Sequence, residues 1–218
     1  ASVKFPKLPS GWIEESLISN DLYLRIYRKK SLVAGRLLFL VHGQAEQSDR
    51  YEHFPSFLQS CIDAIVCIDL PGHGKSKGIR GHIENFNEYS DAVLSGFKAT
   101  QKWFASKSPL DKTFWFGHSL GGLISLGTLL KNSDLSIQAV FVSAVPLELV
   151  IPVPKVKGTF AKWTEPILGR VKLWNELDAK LVSRDMDVVE YYSKNPLNHK
   201  FITPRFFVHF MRSMAEVR

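Results

Sequence analysis

The sequence predicts an α/β fold, a mostly parallel sheet with helices on both faces, from three observations. Short continuous apolar runs at 37–41, 64–68, 114–116 and 139–142 have the length of fully buried strands. Segments of helical periodicity fill the gaps between them, and that alternation implies right-handed crossovers between parallel strands. Finally, His42, Asp69 and Ser119 each follow the end of a predicted strand, where open α/β sheets collect their reactive groups.

Along the chain, 22–27 (Leu-Tyr-Leu-Arg-Ile-Tyr) alternates apolar and polar residues, which predicts a half-exposed strand. The 37–41 run ends at His42-Gly43. Residues 50–61 carry helical spacing at Tyr51, Phe54, Phe57 and Leu58. The 64–68 strand stops at Asp69-Leu70-Pro71-Gly72. A long amphipathic helix is predicted over 86–106, with Tyr89, Val93, Phe97 and Phe104 on one side. The 114–116 strand and an apolar helix follow, then the 139–142 strand. From Pro146 the alternation stops. Pro146, Pro152, Pro154 and Pro166 interrupt large apolar residues, and helices are predicted around 174–193 and 204–215. The expected organisation is therefore a core over 1–145 and a helical cap over 146–218.

The 218 residues suit one sizeable domain with an appended subdomain. An apolar share of 45% argues against disorder. No apolar run reaches the length of a membrane span and no signal peptide is visible, so a cytoplasmic protein is expected, at most peripheral to a membrane. The chain begins with Ala, as a processed or clipped N-terminus would. Cys61 and Cys67 lie in an apolar stretch and are expected to be buried hydrophobes rather than a disulfide or metal site. The net charge is +7, and over half the excess falls after residue 145. It is not clustered with aromatics as in nucleic-acid-binding tracts, so no nucleic-acid partner is expected. It suits either plain solubility or attraction to anionic lipid.

The most informative segment is Gly117-His118-Ser119-Leu120-Gly121-Gly122, a G-x-S-x-G pattern between a buried strand and an apolar helix. A serine on such a turn exposes its hydroxyl, and the helix N-terminus beneath it offers N–H donors where an oxyanion would form. Ser119 is the expected nucleophile and the N–H of Leu120 one oxyanion donor. The second donor is expected from the loop after the 37–41 strand, where Gly43 permits close approach and Gln44 presents its N–H. His42 is expected to be structural. His118 is adjacent to the serine in sequence and points away from it, which excludes it as the base. The chemistry calls for no cofactor and no metal.

Three segments, His42-Gly-Gln-Ala-Glu-Gln-Ser-Asp-Arg-Tyr51, Asp69-Leu-Pro-Gly-His-Gly-Lys-Ser-Lys-Gly78 and Gly117–Gly122, together resemble the monoacylglycerol lipase/lysophospholipase branch of the α/β-hydrolase superfamily, the serine aminopeptidase S33-like group. The stretch 181–197 is similar to the cap of that family, with Ser183-Arg184-Asp185 and Asn195-Pro196-Leu197 as landmarks. The resemblance implies an esterase acting on long acyl chains through Ser119, with Gln44 and Leu120 as oxyanion hole. It also implies that Glu46 and Arg50 brace the oxyanion loop, with His42 and Gly43 in support. Asp69, His73 and Arg80 read as loop architecture. An apolar cap with Trp163, Trp174, Phe206, Phe207 and Phe210 suits an acyl chain. A same-fold esterase, a prolyl aminopeptidase and a non-catalytic binding module are the alternatives.

A serine triad in this fold runs Ser, then acid, then His. Only His199 and His209 follow Ser119, and no predicted strand precedes either; Glu148 is at best a displaced acid. The sequence therefore predicts a fragment of a longer hydrolase, its C-terminal strands missing, with an exposed sheet edge and no histidine at Ser119.

Overall fold

The computed structural model describes residues 8–32, 34–148, 165–175 and 178–218. Its centre is a six-stranded sheet of β1 (Trp12–Ser19), β2 (Leu22–Lys29), β3 (Gly35–Val41), β4 (Ala64–Ile68), β5 (Leu110–His118) and β6 (Ala139–Ser143). The spatial order is β1-β2-β4-β3-β5-β6. β1–β2 and β2–β4 are antiparallel, while β4, β3, β5 and β6 are parallel. Helices α1 (Phe54–Leu58), α2 (Asn87–Ala105) and α3 (Leu120–Lys131) make the crossovers.

The unbroken apolar runs reflect burial on both faces. In β3, Leu37, Phe39 and Val41 join one core cluster, and Leu38 and Leu40 join the other. β4 divides in the same way, with Ala64, Val66 and Ile68 on one side and Ile65 and Cys67 on the other. The larger cluster takes the predicted face of α2, whose Tyr89, Val93, Phe97 and Phe104 are fully buried. At its centre Phe39, Phe97 and Trp115 meet at ring-centroid distances of 4.8 to 5.3 Å. The Trp115 indole N–H donates to the Ser125 hydroxyl at 2.7 Å, which satisfies its one polar atom and ties β5 to α3.

Several expectations are corrected. β2 is a strand, but Leu22 to Tyr27 is buried on both faces. Its polar-looking residues are absorbed: Tyr27 packs in the second cluster, and Arg25 donates to the Ser48 hydroxyl at 3.2 Å and pairs with Glu14. The helix expected over 50–61 divides into a 3-10 turn, Ser48–Tyr51, and α1, because Pro55 starts a new helix better than it continues one. Cys61 is exposed and only Cys67 is buried. The helix expected from 174 begins only at α4 (Met186–Lys194), where the Asp185 side chain accepts from the Asp187 N–H at 2.9 Å. Before it, β7 (Leu173–Trp174) pairs with β8 (Phe201–Ile202) in a small exposed sheet that the sequence did not announce. β1 was also missed. Its partner turn is Asn20-Asp21, both with positive φ (49° and 64°), as a tight hairpin requires.

The last helix, α5 (Pro204–Val217), is capped by Thr203 and packs against α3. Phe206 and Phe210, stacked at 5.7 Å, belong to the main core cluster and do not form a separate acyl lining. Phe207 is half-buried, Trp174 is exposed, and Trp163 lies outside the described residues. Ion pairs from Glu84 to Arg170 and Arg205, and from Arg205 to Glu165 at 2.6 Å, hold this region to the loop before α2. At the other side of the sheet, β6 pairs only with β5 among the described residues, and Val140, Phe141 and Val142 are 41 to 52% exposed.

Phe97 is fully buried between Phe39 and Trp115, so Phe97→Ala should destabilise the fold by about 3–5 kcal/mol, read from urea unfolding.

Candidate active site

Ser119 stands between β5 and α3 with φ 50° and ψ −121°, a backbone conformation an L-residue adopts only under constraint. The constraints are visible. The Ser119 N–H donates to the Ser143 carbonyl of β6 at 2.8 Å, and the Ser119 carbonyl accepts from Gly122 and Leu123 at 2.9 and 3.1 Å. α3 also lies so close to β3 that any Cβ on Gly121 would overlap the carbonyl oxygens of Val41 and His42. That contact explains the residue better than turn geometry does.

The loop after β3 is pressed against the serine. A Cβ on Gly43 would sit 3.1 Å from the Ser119 Cβ and 3.2 Å from the His118 ring. Beside it Ala45 is fully buried with φ 62°. Glu46 organises the loop: its Oε1 accepts from the Gly43 N–H and the Tyr51 hydroxyl, both at 2.6 Å, and its Oε2 pairs with Arg50. Burial pushes the Glu46 carboxyl up, but Arg50, His118, His42 and the Tyr51 hydroxyl outweigh it and hold the group below its usual range. Burial likewise raises the Tyr51 phenol well above its ordinary value.

Among the described residues, the N–H groups of Gln44 and Leu120 are not engaged by another residue. His42 is a strut: its Nδ1 donates to the Gly43 carbonyl at 2.7 Å, and its Nε2 accepts from the Leu70 N–H at 3.0 Å. His118 faces the Ser143 hydroxyl at 3.4 Å, and burial lowers its pKa against the pull of Glu46. Asp69 accepts from the Ser48 and Lys75 N–H groups at 2.7 and 2.8 Å, and Arg80 donates to the Gly72 and Gly74 carbonyls. No hydrogen bond joins the Ser119 hydroxyl to a histidine among the described residues. His199 packs on His73, His209 lies on α5, and Glu148 pairs with Arg218 at 3.6 Å.

Several contributors were not visible in the sequence. Arg50 donates to the Val182 carbonyl at 3.2 Å and stacks over Tyr192 at 5.6 Å. Asn195 accepts from Gln47 at 3.2 Å and donates to Asp49 at 3.0 Å. The 46–50 loop is thus clamped to α4 across some 140 positions of chain, a distance over which one sequence carries no signal. Helical spacing places Tyr51 on a helix face, whereas its hydroxyl donates to Glu46.

Strand order, the strained serine between β5 and α3, and the glycine loop against it define the molecule as an α/β hydrolase. The family model described as serine aminopeptidase, S33, matches residues 34–218, and the chain belongs to that family, in its monoacylglycerol lipase branch. Its fold is similar to the monoacylglycerol lipase of Paleococcus ferrophilus, with a TM-score of 0.74 and 30% identity over 90% of this chain and 71% of that one. It is 26% identical to phospholipase YtpA of Bacillus subtilis over 82% of this chain. It is 29% identical to human monoglyceride lipase over 78% of this chain. These alignments span 66% of the length of the bacterial phospholipase and 55% of that of the human lipase.

Glu46→Gln should cost about 3 kcal/mol at neutral pH, because Arg50 is left half-buried without its counter-charge. The Glu46 carboxyl is held low in the fold, so its contribution is present above the unfolded value and lost as pH falls through the folded one. The stability gap between parent and variant should therefore narrow below about pH 4 in urea titrations.

Proposed function

We propose that the protein is a serine hydrolase that cleaves carboxylic esters of long acyl chains, a monoacylglycerol or a lysophospholipid, through an acyl-enzyme on Ser119. The observation that carries this reading is the strained Ser119 at the head of α3, pressed against the Gly43 loop. The Ser119 Oγ would attack the ester carbonyl, forming the Oγ–C bond as its proton passes to a general base. The alkoxide that leaves takes up a proton, and water then releases the fatty acid. The N–H groups of Gln44 and Leu120 would receive the negative charge on the carbonyl oxygen, each such donor being worth about 3–4 kcal/mol in the transition state. His42, Gly43, Glu46 and Arg50 would hold that loop in place. The relatives named as lipases and a phospholipase support the substrate class.

A peptidase, as the family description suggests, needs a free carboxylate for the substrate amine. The carboxylates beside this site, Glu46 and Asp69, are already bonded to Gly43, Tyr51 and Arg50 and to Ser48 and Lys75. That favours the ester.

The region from 146 onward would act as a cap that also meets lipid. β7 and β8 expose Leu173, Trp174 and Phe201, while Lys200 sits 5.4 Å from the Trp174 ring and Lys172 5.8 Å from that of Phe201. Aromatic rings beside lysines suit the boundary of an anionic membrane. Among the described residues no helix is long and apolar enough to cross one.

In the intact protein, Ser119→Ala should abolish p-nitrophenyl ester hydrolysis and fluorophosphonate labelling without shifting the thermal midpoint, since one hydroxyl is removed. Activity within a few-fold of the parent would end the assignment. Sedimentation with vesicles should show binding that is stronger for anionic lipid, weaker with salt, and reduced by Trp174→Ser. No binding at low salt would leave the basic surplus as solubility alone.

A further inference from the structure

Three histidines distant in sequence form a buried column between the cap and the loop that carries Gln44. His42 and His73 are fully buried and His199 is 6% exposed. Their rings are tilted on one another, with centroids 5.2 Å apart for His42–His73 and 4.6 Å for His73–His199. His42 bonds the Gly43 carbonyl through Nδ1 and the Leu70 N–H through Nε2, which fixes its ring at the head of the column.

His73 is the informative member. Its Nδ1 lies 3.0 Å from the Pro71 carbonyl, which only accepts, so Nδ1 holds the proton of the neutral ring. Its Nε2 lies 3.3 Å from the Gln44 side-chain oxygen, and the Gln44 NH2 is buried with no partner among the described residues, so the two ends of that amide can exchange places. A neutral His73 can only accept there, from the Gln44 NH2; a cationic His73 would donate to the Gln44 oxygen instead. The orientation of the Gln44 amide therefore follows the protonation of His73. On the far side of the column His199 accepts weakly from the Phe201 N–H at 3.4 Å through Nδ1, which leaves its proton on a buried Nε2 with no partner.

We propose that His73 and His199 are positioning residues for the oxyanion loop, carrying the seating of the cap segment 199–203 to Gln44 and releasing it in acid. This rests on the reading of Gln44 as an oxyanion residue. The charged groups around His73 and His199 oppose a proton on them. Burial and then Arg80, with His42 and Lys172, hold the His199 imidazole down at about 4. Burial, then His199 and His42, with Arg80, hold His73 well below its ordinary value. Tyr89 of α2 packs against His73 at 6.2 Å. Among the described residues no carboxylate bonds any of the three rings, and Asp69 of the same loop is occupied by Ser48 and Lys75. Glu46 couples to His42 at the head of the column, whereas a proton on His73 or His199 meets Arg80 and, for His199, Lys172. Between pH 6.5 and 4 the unfolded chain holds the proton that the folded column refuses, so the cap contact weakens steadily over that window as pH falls.

NMR of the labelled chain tests this without requiring Ser119 to react, so its outcome is separate from that of the labelling experiment. The His199 imidazole should titrate near 4, with the backbone and side-chain amide signals of Gln44 shifting at the same midpoint while α2 amides stay fixed. His199→Phe keeps a ring against His73 but takes no proton, and should shift the midpoint of the Gln44 transition, since His73 loses the neighbouring imidazole that opposes its proton. A His199 midpoint near 6.5, or a Gln44 transition that persists unchanged in His199→Phe, overturns the proposal. If acid instead unfolds the whole chain, the unfolding pH must drop in His199→Phe and in His199→Gln; an unchanged value also overturns it.

Discussion

A buried carboxylate cannot stay charged without partners, and that requirement at Glu46 shapes the whole site. The group is 2% exposed and sits under the serine loop. An isolated ion at such a position would cost several kcal/mol in lost hydration, so Glu46 gathers the Gly43 N–H, the Tyr51 hydroxyl and the Arg50 guanidinium around it. The Gly43 bond fixes the strand-end loop against Ser119. The Arg50 pair reaches outward to Val182 and Tyr192, so the same carboxylate sets where α4 lies. Site geometry and cap placement are one electrostatic problem with one solution.

The ion pairs at Glu84 work differently. Arg170 is 68% and Glu84 38% exposed, so water screens that contact and its worth is small. Side-chain packing by Phe206 and Phe210 carries the docking of α5, and the surface charges set its register. Loss of a Glu84 contact is a local event, whereas loss of Glu46 propagates through the loop to the nucleophile.

What one sequence revealed follows from how local each signal is. Gly117–Gly122 and the helix facing the sheet with Tyr89, Val93, Phe97 and Phe104 are local patterns, and both were read correctly as structure. The continuous runs in β3 and β4 were legible because two-sided burial leaves no polar position. β2 misled because Tyr23, Arg25 and Tyr27 look solvent-facing until Ser48 and Glu14 arrive to bond the arginine. β1 carries two glutamates that dilute its alternation, and β7 and β8 are too short for any period. The column of His42, His73 and His199 had no sequence signature, since each imidazole comes from a different loop.

The strand order also bears on how the chain assembles. The β1–β2 hairpin, closed by Asn20-Asp21, is the only local pairing in the main sheet among the described residues and can form within microseconds. β3 must wait for partners from 64–68 and 110–118, and parallel pairings across such gaps are slow to close. The unusual backbone at Ser119 is held by a bond to Ser143 of β6, a strand that follows the serine in the chain. Before β6 arrives the serine turn can relax. The geometry proposed for catalysis is thus a late product of folding, and a nascent chain holding everything up to α3 would carry an inert serine.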